Sequence, residues 1–223
     1  MRRPCCRQHA VSQLAVGVFE HHDQDRFELI GFNLSTLPPD DMTQRVERAF
    51  GQLIQFEALS TREIVDTVRA MKLDIAVDLN GHTKGAKLDI FAHRIAPIQV
   101  NYLGYPGTSG APYFDYILAD PVIIPPEHFV HYSEKVVHLP HSYLPNDATL
   151  EIGLNVPSRA EAGLPDNGFV FCCFNNSYKI TPQIFDIWMR LLCDFKDSVL
   201  WLIGGNTSIE RNLRREAANR DID

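Results

Sequence analysis

The sequence predicts an α/β fold with parallel strands, and three observations lead there. Short β-branched or aromatic runs alternate with stretches of helical apolar spacing, the order that parallel strands joined by crossover helices produce. Polar, glycine-containing loops follow several of the strand runs, at the position where α/β sheets hold ligands. The chain has 223 residues, 45% hydrophobic and 22% charged, an ordinary globular composition with enough length for one large domain or two lobes.

In chain order, the spacing predicts a helix over 10–21, a strand over 27–33, a helix over 41–51 and a strand over 53–56. A helix over 60–71 follows, where Ser60 suits an N-cap and Glu63 completes a capping box. A strand over 73–79, a helix over 87–94 and strands over 98–103, 116–119 and 135–139 complete this series. From 141 to 165 the sequence holds Pro145, Asn146, Pro157, Gly163 and Pro165 with little periodicity. A linker is expected there, dividing the chain into 1–150 and 151–223. The second part reads as a buried strand over 168–174, a loop, a helix over 181–195 with Pro182 at its first position, a strand over 198–203 and a charged helix from Ser208. Two strands are fewer than a nucleotide-binding lobe carries, so this part is expected to be the truncated start of one.

Composition excludes several functions. Lys plus Arg is 21 against 28 Asp plus Glu, a net charge of -7, which leaves no electrostatic footprint for nucleic acid and disfavours an anionic membrane. Cys5, Cys6, Cys172, Cys173 and Cys193 are odd in number and lack Cys-x-x-Cys spacing, so neither a disulfide framework nor a zinc ribbon is expected. No apolar run approaches the roughly 20 residues that span a bilayer, and residues 1–8 lead into no secretory h-region. The expected compartment is the reducing cytoplasm.

Three loops concentrate the polar chemistry. In Asp78-Leu-Asn-Gly-His-Thr-Lys-Gly85, Gly81 and Gly85 free backbone N–H groups after a strand; a tight connection with a solvated Lys84 is the alternative. In Leu103-Gly-Tyr-Pro-Gly-Thr-Ser-Gly110, glycines let a ligand approach the backbone, and Thr108 and Ser109 could donate to sugar hydroxyls or phosphate oxygens. No Walker signature closes it. In Phe174-Asn-Asn-Ser-Tyr-Lys-Ile180, Lys179 sits at the mouth of a helix, which suits a diphosphate; an Asx-turn with a surface lysine is the alternative. His128 with His131 and His138 with His141 lack further ligands and read as turn or surface histidines, not a metal site. Cys172 and Cys173 read as buried small hydrophobes, and Trp188 and Trp201 as core aromatics.

Taken together these stretches resemble the catalytic region of the O-linked N-acetylglucosamine transferases, the SPINDLY-type glycosyltransferases. The resemblance runs through His9-Ala-Val-Ser12, Asp78 to Gly85, Ala96-Pro-Ile-Gln99, Leu103 to Gly110, Asp115-Tyr116, Tyr132-Ser-Glu-Lys135, Leu139-Pro-His141 and Phe174 to Ile180 followed by Trp188. It implies a GT-B architecture, a Rossmann-like lobe followed by the truncated start of a second. It also implies inverting, metal-independent transfer of N-acetylglucosamine from UDP-GlcNAc to Ser or Thr of protein acceptors, with no cofactor. By resemblance His9 is an active-site histidine, Leu103 and Gly104 lie beside the donor sugar, and Pro106 and Thr108 share that loop. Asn176 is a polar donor contact, Tyr178 a tyrosine with a proposed proton-handling role, and Lys179 the lysine that neutralises the departing diphosphate. The family has a strand and a Ser-Asp-Phe-like turn before the histidine, whereas Cys5 stands where that aspartate falls. Its uridine-reading segment and His-Thr-Thr-Gly-like loop have no counterpart in this sequence, and a tetratricopeptide array is expected in the parent protein. The chain is therefore expected to be an incomplete piece. Two alternatives stay open on the sequence: a non-catalytic remnant or interaction domain, and a related transferase that uses GDP-fucose.

Overall fold

Every strand pairing among the described residues is parallel, as the alternation of strands and helices requires. The computed structural model describes residues 9–34, 38–56, 59–150, 153 and 155–222. It divides into two compact units, Met1–Glu151 and Ile152–Asp223.

The first unit opens with helix α1 (Ala10–Glu20), strand β1 (Ile30–Asn33), helix α2 (Asp41–Ala49), strand β2 (Gln52–Gln55) and helix α3 (Thr61–Ala70). Strand β3 (Ile75–Asp78), helix α4 (Leu88–Phe91) and strands β4 (Ile98–Asn101), β5 (Tyr116–Ala119) and β6 (Lys135–His138) follow. Strands β1 and β2 form one sheet, and β3-β4-β5-β6 a second in sequence order. The expected capping box is present: the Ser60 hydroxyl accepts from the Glu63 N–H, and the Glu63 carboxylate accepts from the Ser60 N–H at 2.9 Å. Asp40 and Thr43 form a second box on α2. Helix α4 is shorter than the spacing predicts. Its N-cap Lys87 supplies no side-chain hydrogen bond, and Arg94 turns left-handed at φ 51° just past its end. A 3-10 turn over Pro126–His131, which the sequence reading did not foresee, joins β5 to β6.

Packing follows the apolar stripes. Ile64, Val65 and Val68 of α3 cluster with Ala76 of β3, Ile90, Ile95 and Phe56. Val16 of α1 meets Met42 and Val46 of α2, and Ile117 and Ala119 of β5 pack with Ile124. One arginine ties the outer helices together. The Arg45 guanidinium of α2 donates twice to Glu20 of α1 at 2.7 Å, to Asp147 at 2.6 Å and to Thr149 at 3.1 Å. This bidentate geometry is the kind that repays its desolvation. The Arg45 hydrogen bond to Asp147 holds that carboxyl far below the usual carboxylate range.

The second unit has β7 (Val170–Cys173), a 3-10 turn (Ser177–Lys179), α5 (Pro182–Asp194), β8 (Val199–Leu202) and α6 (Thr207–Ala218), with β7 and β8 paired. Its strands are less covered than the sequence reading expected. Phe169 and Phe174 stay 59% and 53% exposed, Cys172 is exposed, and Cys173, Trp188 and Trp201 are half-buried. The physical reason is the thin layer: two paired strands and two helices enclose little volume, and Phe185 and Met189 of α5 are the buried hydrophobics there. An open groove of about 640 Å³, lined in part by Phe185, Met189, Trp201 and Leu213, lies in this unit. No helix among the described residues is long and apolar enough to cross a membrane.

Two substitutions test this packing. Ile117→Ala, at a side chain 1% exposed, is expected to cost the first unit about 3 kcal/mol in urea unfolding. Arg45→Ala should lower the same midpoint clearly, whereas Arg62→Ala, at a solvent-exposed pair 3.9 Å apart, should change it by under about 0.5 kcal/mol. Equal effects of the two arginine variants would contradict the role given to Arg45.

Candidate functional site

The carboxyl ends of β3 and β4 lie side by side, with Asp78 in register with Asn101 and both buried. The Asp78 carboxylate accepts the N–H groups of Gly81 at 2.7 Å and Asn80 at 3.2 Å, so it shapes the loop that follows its own strand. Burial pushes its pKa above the ordinary aspartate value despite those hydrogen bonds. Gly81 adopts φ +57°, and a Cβ there would lie 2.6 Å from the Tyr105 Cβ. The side chain of His82 meets the Ser109 carbonyl through Nε2 at 2.9 Å and sets its ring edge-on to Tyr105. These contacts lace the loop after β3 to the loop after β4. Lys84 is exposed, as the solvated-lysine reading has it. Asn101 is fully buried; its Nδ2 donates to the Gly107 carbonyl at 3.5 Å, and its Oδ1 has no partner among the described residues.

The loop after β4 holds four of the expected donor residues, and its backbone is strained at the first of them. Leu103 has φ +73°, rare for a branched side chain, and the Gly104 N–H closes a three-residue turn onto the Tyr102 carbonyl at 3.0 Å. Burial holds the strained residue: Leu103 is 6% exposed and clusters with Val11 and Ala15 of α1. Gly104 is required sterically, because a Cβ there would lie 2.3 Å from the Leu79 carbonyl oxygen. The Pro106 carbonyl accepts from the Tyr132 hydroxyl at 3.0 Å. Thr108 donates its hydroxyl proton to Glu134 at 2.7 Å and accepts from the Gly110 N–H, which leaves no proton for a ligand in this geometry. Ser109 likewise gives both its N–H and its hydroxyl to Glu134. Donation to a ligand's oxygens, the role the sequence suggested for this pair, is here taken by an internal carboxylate.

His9 is the N-cap of α1. Its Nδ1 accepts the Val11 N–H at 3.3 Å, so the neutral imidazole carries its proton on Nε2. Because Val11 also buries Leu103, the helix capped by His9 and the strained loop after β4 share one cluster. Cys5 and the rest of residues 1–8 lie outside the described residues.

In the second unit, Asn176, Tyr178 and Lys179 occupy or flank the 3-10 turn and are exposed, Tyr178 at 79%. The turn is a refinement of the expected loop: the Lys179 N–H donates to the Asn176 carbonyl at 3.0 Å. Helix α5 begins only at Pro182, with Thr181 as N-cap. Its mouth offers fewer amides than the sequence suggested, since Pro182 has no N–H and the Ile184 N–H is spent on the Thr181 hydroxyl at 3.3 Å. Lys179 thus supplies the main positive charge of this loop.

Among the described residues no group of three or more His, Cys, Asp or Glu comes together as a metal site. The rings of His128 and His131 lie 6.0 Å apart, and His138 Nε2 bonds the Ile124 carbonyl at 2.9 Å. Sequence reasoning assigned no role to Glu134 or Asp120, both buried. Asp120 accepts the N–H groups of Val122 and Ile123 at 2.9 Å and of Tyr143 at 2.8 Å, and the Tyr143 bond leads in holding its pKa low. The Asp120-Pro121 step was the available signal, a turn-initiating pair directly after a strand. For Glu134 the run Tyr132-Ser-Glu-Lys135 marked only the segment; its role was not legible, because Ser109 and Thr108 lie 25 and 26 residues away.

Comparison with known proteins bears on this geometry. The model of Glycosyl transferase family 41 matches residues 5–153 and 148–223. A probable UDP-N-acetylglucosamine--peptide N-acetylglucosaminyltransferase SEC from Arabidopsis thaliana is 36% identical over 219 residues, covering 96% of this chain and 22% of the relative. A protein of the same description called SPINDLY, from Oryza sativa subsp. japonica, is 34% identical over 197 residues, covering 86% and 21%. The solved structure of a mutant Thermobaculum terrenum O-GlcNAc transferase superposes with a TM-score of 0.86 at 28% identity, covering 97% of this chain and 41% of that one. The chain thus spans about a fifth of the length of these two curated relatives.

Two outcomes follow from the loop geometry. Gly104→Ala should destabilise the first unit by about 2 kcal/mol through backbone collision. Gly110→Ala, with open space at φ +66°, should cost only about 1 kcal/mol of left-handed strain; the reverse order in urea unfolding would contradict the steric account. Acid provides the second check. Burial alone would raise the Glu134 carboxyl, but the hydrogen bonds from Ser109 and Thr108 outweigh it and hold it below the ordinary 4.5. Asp120 and Asp147 are also held low, so all three contribute stability that is present above the ordinary carboxylate range and lost as pH falls through their folded values. Asp78, shifted upward, works oppositely and costs stability as pH rises through its folded value. The thermal midpoint should therefore fall on acidification below about pH 4. A midpoint unchanged between pH 6 and pH 3 would refute this.

Proposed function

This chain belongs to glycosyl transferase family 41, with an α/β fold of GT-B type, and we propose that it forms part of a protein O-GlcNAc transferase. The reaction moves N-acetylglucosamine from UDP-GlcNAc to Ser or Thr hydroxyls of protein acceptors. In the inverting form, the acceptor oxygen bonds to the anomeric carbon from the face opposite the diphosphate. The bond from that carbon to the diphosphate oxygen breaks, UDP leaves with the electron pair, and the hydroxyl proton passes to an acceptor group.

The observation that carries this reading is the exposed Lys179 at the end of its 3-10 turn, a full positive charge ahead of a capped helix. Charge accumulates on the departing diphosphate, and a metal-independent enzyme meets it with fixed cations and oriented N–H groups. Lys179 takes that role, with Asn176 as a polar contact and Tyr178 beside it. On the first unit the strained backbone at Leu103 and Gly104 presents main-chain groups to the sugar, with Pro106 and Thr108 maintaining the loop. His9, whose Nδ1 caps α1, takes the part of the active-site histidine that the resemblance implies.

Calorimetric titration of UDP and of UDP-GlcNAc into this chain, with Lys179→Ala as the comparison, tests the reading. Binding that the substitution weakens tenfold or more is expected, the size of a lost charge-assisted hydrogen bond. Equal affinity of both proteins for UDP would remove Lys179 from the diphosphate site. Transfer to a peptide that survives Lys179→Ala undiminished in a longer protein containing this chain would do the same.

A further inference from the structure

Glu134 is 4% exposed, on a residue type that is rarely buried without a cation, and no lysine or arginine pairs with it among the described residues. Its charge is met by hydrogen-bond donors alone. Oε1 accepts the Ser109 N–H at 2.7 Å and the Ser109 hydroxyl; Oε2 accepts the Thr108 hydroxyl at 2.7 Å and the Ser133 hydroxyl at 3.1 Å. Three of these four donors belong to the loop after β4, while Glu134 itself sits next to the first residue of β6. The loop is thereby anchored two strands away from the one it leaves.

The anchoring spreads beyond the contact. Once Thr108 and Ser109 have given their protons to Glu134, their hydroxyl oxygens accept the Gly110 and Ala111 N–H groups at 3.0 and 3.2 Å. The Ser109 carbonyl holds His82 of the neighbouring loop, and Tyr132, two residues before Glu134, holds the Pro106 carbonyl. Upstream on the same loop lies the positive-φ turn at Leu103 and Gly104, a conformation that persists only where surrounding structure over-determines it. One end of the segment is fixed by Leu103 packing on α1, the other by Glu134.

We propose that Glu134 is a positioning residue for the donor sugar: it touches no substrate, but its carboxylate fixes the 103–111 loop in the shape that presents Leu103 and Gly104. The loop-fixing half stands on the geometry, and the donor-sugar half rests on the function proposed above. A carboxylate is needed, not merely a side chain of this size. In Glu134→Gln one oxygen becomes an NH2 donor facing the Thr108 and Ser133 hydroxyls, and the Thr108 oxygen already accepts the Gly110 and Ser133 N–H groups.

The test uses the whole chain and the variants Glu134→Gln and Ser109→Ala, read by amide hydrogen exchange and by titration with UDP and UDP-GlcNAc. Exchange over 103–111 should accelerate at least tenfold in Glu134→Gln while β5 amides stay protected, and Ser109→Ala should show the same pattern more weakly. Affinity for UDP-GlcNAc should fall at least tenfold with affinity for UDP within twofold, a split that general destabilisation does not produce. Uniform acceleration across the unit, or equal loss for both ligands, overturns the proposal. If Glu134→Gln does not fold, Ser109→Ala decides by the same two criteria. If the unsubstituted chain takes neither ligand, the donor contacts assigned above to this chain's own loops fail, and the donor-sugar half with them; selective loosening of 103–111 then sustains the loop-fixing half, and unchanged exchange overturns it.

Discussion

Backbone N–H groups at the carboxyl edge of a parallel sheet have no strand to pair with, and in this protein buried carboxylates satisfy them. Asp78, Asp120 and Glu134 are each below one-tenth exposed; Asp78 and Asp120 accept two or more main-chain N–H groups and Glu134 accepts one, from the Ser109 loop. A buried backbone donor left unpaired costs about as much as a lost hydrogen bond, so these three anions determine which loop shapes are stable. The arrangement exchanges the desolvation of three charges for the order of irregular segments. It works because each anion receives at least two donors.

With the loops held, strain can be stored in them. Leu103 keeps a left-handed backbone because its side chain is buried against Val11 and Ala15, and Gly104 follows because the Leu79 carbonyl excludes a Cβ. The helix that buries Leu103 is the one His9 caps. A packing contact therefore joins two positions far apart in sequence that the family resemblance both assigns to chemistry. Arg45 secures that helix to α2 and to the segment at Asp147, so an ion-pair network on the outside supports the geometry of the inside.

The second unit is organised differently. Its 3-10 turn is exposed, the charge there comes from a lysine side chain, and the hydrophobic layer is thin. Exposure suits the role proposed for Lys179, since a lysine buried without a partner would lose its charge. The exposed Phe174 and the half-buried Trp201 pair edge-on with ring centroids 5.0 Å apart, beside the strand that leads into this turn. Local signals set this region: Thr181 caps, Pro182 starts the helix, and the 3-10 turn takes up the residues between.

Local chemistry determined what the sequence could reveal. Strand and helix order, the Ser60 and Glu63 capping box, the Thr181-Pro182 helix start and the glycine loops depend on residues within a few positions of one another, so spacing reads them directly. Element ends shortened by a residue or two where caps replaced helical positions. The pairing of Glu134 with Thr108 and Ser109, the burial of Leu103 by α1 and the reach of Arg45 to Asp147 join residues at separations that no local pattern encodes. The same holds for Cys172, Trp188 and Trp201, whose exposure depends on what packs over their strand or helix and not on their own hydrophobicity. The residues and the order of elements were thus set by sequence, while the direction of each polar proton was decided only when distant segments were packed together.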